Sequence, residues 1–189
     1  MNAAFKSAAR GHTSRKIPDV DCWYRDDIVA QFLRNRELPD QPHAGFNLAL
    51  AATAEKVNEG AYDTAVSYLR MAKEQLHQTT YGNEQSYFLS CGIAYACKEL
   101  LPLVRDQSFL QSDVRDLIVA GIDTYPLKDR RGAYIAAFSS LQADPSSRED
   151  WYGALVQKAL DDKENGMPWN KWGTPLSQYL ADRGLTPAV

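Results

Sequence analysis

The chain has 189 residues, 44% of them hydrophobic and 24% charged, with a formal net charge of −3. That is the size and composition of one globular domain, able to bury roughly 70% of its unfolded surface. The charge gives no global pull towards nucleic acid or an anionic membrane, and no run approaches the roughly 18 apolar residues of a membrane span.

The charge is uneven along the chain. Residues 1–18 hold Lys6, Arg10, Arg15 and Lys16 and no acid, which leaves 17 basic and 24 acidic residues on the rest. The first 18 residues read as a flexible basic arm, and 19–189 as a single helical domain. The arm is the one place where contact with nucleic-acid phosphate is expected, through those four side chains. Its composition also fits an organelle-targeting segment or a specialised secretion signal. The apolar core of an ordinary secretory signal is missing. The cysteines, Cys22, Cys91 and Cys97, are odd in number and not closely paired, which points to a reducing, cytoplasmic setting.

A first helix is expected from a cap at Asp19 or Asp21 to about Glu37, with Trp23, Ile28, Phe32 and Leu33 as its apolar set. Pro39 and Pro42 break it. An alanine-rich helix over 44–59 should stop at Gly60, the residue that most freely takes the left-handed C′ conformation. The helix after Gly60 carries Tyr62, Ala65, Val66, Leu69, Ala72 and Leu76 on one face at three- and four-residue steps. The very short connection pairs these two helices antiparallel. From about Glu84 to Arg105 runs the most apolar helix, expected at the centre of the core, with Pro102 bending or ending it. Further helices are expected from Ser112 to about Tyr125, over 129–143, from a Ser146/Glu149 capping box to about Lys163, and from Thr174 to a stop at Gly184. No segment alternates with period two, so no strands are expected. The fold class is all-α: a compact antiparallel bundle or short array of helical hairpins, about eight helices in all.

The stretch Gly60–Leu76 has the pattern Gly-x-Tyr-x-x-Ala-x-x-x-Leu-x-x-Ala. GAYDTAVSYL at 60–69 is echoed by GAYIAAFSSL at 132–141, identical at six of ten positions and offset by 72 residues. The pattern resembles the second helix of a tetratricopeptide (TPR) repeat, and the offset is near two periods of about 34 residues. His77 stands where that family has proline, and Asp144 and Pro145 interrupt the second copy. The resemblance implies a protein-binding role. It places Asn47, Leu50, Ala54, Val57 and Asn58 at ligand-contact positions. With Leu50 and Ala54 in place of the lysine and asparagine of a carboxylate clamp, it implies an apolar peptide or helix as the partner.

Catalytic and cofactor signals are sparse. No Cys-x-x-Cys or His-x-x-x-His spacing suggests a metal ligand set, and no cofactor is expected. Ser90-Cys91-Gly92 lies in the central helix, where small residues serve close packing. There is no Gly-rich phosphate loop. Trp169 and Trp172, in a loop with two prolines and two glycines, form a second candidate contact surface unless they fold back on the core. The leading expectation is therefore non-enzymatic protein binding. One alternative is a small helical enzyme whose site gathers groups such as His43, His77, Arg130 or Asp150 from separate helices. The other is a helical subunit of a nucleoprotein complex.

Overall fold

The computed structural model describes residues 14–17, 22–141 and 151–168. Seven helices follow one another in those residues. They are α1 (Asp26–Asn35), α2 (Pro42–Asn58), α3 (Tyr62–Gln78), α4, α5 (Ser108–Asp123), α6 (Arg130–Leu141) and α7 (Trp151–Glu164). Helix α4 runs Asn83–Tyr95, passes through a π-helical turn at Ala96–Leu100 and ends in Leu101–Leu103. The fold is all-α and compact. No helix among the described residues is long and apolar enough to cross a membrane.

The beginning differs from expectation. Two four-residue strands, β1 (Ser14–Ile17) and β2 (Cys22–Arg25), pair antiparallel, with Ser14 opposite Arg25 and Ile17 opposite Cys22. Ile17, Trp23 and Tyr24 suit an extended backbone. The first helix consequently starts at Asp26, and the boundary drawn at residue 18 falls between the two strands. The Ser146 capping box and the helix expected from Thr174 to Gly184 lie outside the described residues.

Helix α2 starts with Pro42 in its first turn and ends in a Schellman motif. The Gly60 N–H donates to Val57 O at 3.0 Å and the Ala61 N–H to Lys56 O at 2.8 Å, with Gly60 at φ 73°. The chain then turns straight into α3, which lies along α2 as expected. The downstream Gly-Ala-Tyr copy sits differently: Gly132 is inside α6, not at a turn. Gly166, at φ 106°, closes α7 with the same pair of bonds, to Lys163 O and Asp162 O, and buries Met167 behind it. Arg36 caps α1 at φ 57°, a conformation that strains any residue with a Cβ.

Two helices form the core. α4 is central as expected: Leu89, Ile93, Ala94 and Leu100 are fully buried, against α2, α5 and α6. α2 is equally enclosed, with every residue from His43 to Ala54 buried between α1, α3 and α4. Its alanines let those neighbours approach closely. Gly92 of α4 lies so near α2 that a Cβ there would collide with Asn47 and Phe46. The Asn47 amide donates to the Phe88 carbonyl at 3.0 Å, tying the two helices together.

The cysteines also differ from expectation. Cys91 is disulfide-bonded, while Cys97 is a free, buried thiol whose pKa burial pushes far up.

Candidate functional site

The surface expected on α2 is not a surface. Asn47, Leu50, Ala54 and Val57 are all buried, and Leu50 is 0% exposed. Of the five positions only Asn58 faces solvent. The small residues that suggested a contact face are the ones that let α3 and α4 cover it. Trp169, Trp172, Lys6 and Arg10 lie outside the described residues. Arg15 and Lys16 lie on β1, paired with Tyr24 and Trp23. His43 stacks on Phe88 in the core, with ring centroids 4.9 Å apart, and His77 is exposed at the end of α3. Asp150 lies outside the described residues.

Arg130 enters a polar cluster that joins the ends of α5, α6 and α7. Its Nη1 donates to both oxygens of Asp162, at 2.9 and 3.0 Å, and lies 3.0 Å from Asp123 Oδ1. Its Nε donates to the Tyr125 carbonyl at 3.1 Å. The Tyr134 hydroxyl donates to Asp162 Oδ2 at 2.6 Å. Lys158 Nζ lies 2.7 Å from Asp123 and 3.6 Å from Asp162. Burial alone would raise the Asp162 pKa; the bonds from Tyr134 and Arg130 and the nearby charges of Lys158 and Arg130 outweigh it and hold the group below its ordinary value. Tyr134 is shifted strongly up by burial and by its bond to that carboxylate, so it stays a neutral donor. Two cations balance two carboxylates. With Asp162 held ionised and Tyr134 held neutral, the cluster works as a clamp between helices. A second tie joins α4 to the end of α5. The Tyr125 hydroxyl sits 2.8 Å from Ser90 Oγ and donates to the Ser86 carbonyl.

Of several clefts of similar size among the described residues, the one with the most ordered charge is a groove between α3 and α5. Leu69 and Leu117, each 4% exposed, form its floor. Tyr68, Leu69, Ala72 and Leu76 turn the buried face of α3 inward, which leaves Arg70 and Lys73 along the edge. On α5 the buried set is Leu110, Val114, Leu117, Ile118 and Ile122, which leaves Asp113 and Asp116 along the facing edge. One wall is thus cationic and the other anionic, each with its two charges one helical turn apart. Among the described residues, none of the four is held in an ion pair. The groove was legible in part: the inward face of α3 follows from its periodicity, but which helix would lie opposite does not. Among the described residues no group of three or more His, Cys, Asp or Glu is placed to hold a metal ion.

Comparison with known proteins returns no match to a family model, a curated protein or a solved structure.

Proposed function

We propose that this protein is a non-enzymatic protein-binding module of the adaptor, chaperone, inhibitor or immunity type, acting through a helical surface. The observation that carries the reading is the α3–α5 groove, two walls of opposite charge above a closed leucine floor. Grooves between helices are a recurring seat for partner segments, which take their orientation from the charges on the rim. The groove replaces the α2 face, whose side chains are taken up by the core. The TPR-like hairpin character of α2 and α3 suits the reading, because α3 is anchored on one side and offers its other edge.

The test is a pull-down with the full-length protein from extract of its native host, washed at low and high salt. The expected result is a stoichiometric protein partner, weakened by salt and lost from the Arg70→Glu/Lys73→Glu double variant. A partner retained equally by that variant removes the groove as the contact surface. The cytoplasmic setting expected from unpaired cysteines loses that support at Cys91, because disulfides persist mainly in oxidising compartments. Protein alkylated at the moment of host lysis should carry no label on Cys91; a labelled Cys91 restores the reducing setting.

A further inference from the structure

The two walls of the groove hold four charges that the chain itself, among the described residues, leaves without ion pairs. Arg70 and Lys73 are like charges one turn apart on α3, as are Asp113 and Asp116 on α5. Each pair is mildly unfavourable on its own helix. Closing ion pairs across the groove would relieve both, yet the four side chains stay unpaired above the Leu69–Leu117 floor. The field between them therefore points from the α3 wall to the α5 wall, and anything that settles there with the opposite polarity gains from both sides at once. An acid alone would meet the aspartates, and a base alone would meet Arg70 and Lys73.

We infer that the partner segment is a helix that carries acidic side chains along one side and basic side chains along the other. Its acids lie on Arg70 and Lys73, and its bases on Asp113 and Asp116. This rests on the reading of the groove as the contact surface, and it adds what the partner must carry. A helix fits because the floor is set by two packed helices, whose groove presents the i, i+3 and i+4 spacing that a third helix matches.

The test uses the full-length protein and fluorescent, end-blocked, alanine-based helical peptides. One peptide is flanked by glutamate on one side and lysine on the other, one by lysine on both sides and one by glutamine on both. Anisotropy should give about tenfold tighter binding of the Glu/Lys peptide than of the glutamine peptide, within the range that four exposed charge contacts supply. Arg70→Glu/Lys73→Glu makes both walls acidic and should switch the preference to the Lys/Lys peptide by about tenfold. Arg34→Glu/Lys128→Glu changes the net charge equally at exposed sites away from the groove, and should leave the preference as in the native protein. Circular dichroism of each variant checks that the helices are kept. The inference fails if the native protein does not distinguish the charged peptides from the glutamine peptide. It also fails if the Arg34/Lys128 variant switches preference as far as the wall variant. Free leucine that displaces the Glu/Lys peptide at equal concentration overturns it in favour of a small zwitterion. If the native partner is lost on wall reversal while the peptides bind alike, this inference falls and the binding-module reading stands. If partner retention ignores the walls, the groove falls as the contact surface and this inference falls with it.

Discussion

At the scale of single residues, the Asp162 carboxylate is held by a guanidinium and a phenol with an ammonium nearby, and its removal leaves Arg130 with Asp123 as its remaining carboxylate. Asp162→Asn should destabilise the fold by about 3 kcal/mol, read from urea denaturation at neutral pH. Because the pKa of Asp162 is lower in the folded than in the unfolded chain, its contribution is fully present above the unfolded value and is lost as the pH falls through the folded one. Stability should therefore drop as the pH goes below about 4, and the drop should be smaller in the Asn variant. An equal drop in both forms would place the acid sensitivity elsewhere. Arg36 is the opposite case, a side chain whose backbone conformation works against it. Arg36→Gly keeps the bond from its N–H to the Phe32 carbonyl at 2.7 Å and relieves the left-handed strain. It should raise stability by about 1 kcal/mol. Neither residue stands out in the sequence: Asp162 sits in a run of acids at a helix end, and a left-handed cap is usually announced by glycine.

At the scale of elements, α2 decides much of what the sequence could and could not reveal. Its length and its glycine stop follow from local chemistry that needs no tertiary structure and appear where expected, while Pro42, read as a breaker of the helix before, opens this one two residues early. Its surroundings do not follow from local chemistry. Alanine marks both close packing and exposed helix, and only the neighbours decide between them. Here α1, α3 and α4 close around it, so Leu50 and Ala54 are core. Leu50→Glu would place an unpaired charge there and should cost more than about 4 kcal/mol, abolishing the cooperative melt followed by circular dichroism. Gly92→Ala should cost about 2 kcal/mol for a different reason, since the added methyl meets Asn47 and Phe46. The opening hairpin was missed because four-residue strands are too short to show an alternating pattern. The α3–α5 groove was half legible, because periodicity fixes each helix's inner face but not the pairing of helices distant in sequence.

At the scale of the whole molecule, the core behaves as one body, since the buried side chains of all seven helices form a single continuous cluster. Cys97 reports on that cluster, being enclosed and held as a thiol. It should resist alkylation in the native protein and become reactive in step with global unfolding in urea; early labelling would reveal a local opening of α4. The π-helical turn at Ala96–Leu100 has a wider consequence. Pro102 has no N–H to give and its ring crowds the carbonyl four residues back, so the chain takes one extra residue in that turn, with the Leu101 N–H reaching Ala96 O. The extra residue resets the angular phase of everything after it by about 100°. Leu101 and Val104 thereby stay inside while Leu103 points out. The turn works as a phase shifter inside one long helix, and its length matters more than its letters. Conservative substitution within it should be mild, and deleting one residue there should only close it to a regular turn, whereas a regular turn that kept all its residues would rotate the end of α4 and the approach to α5 out of register with the core.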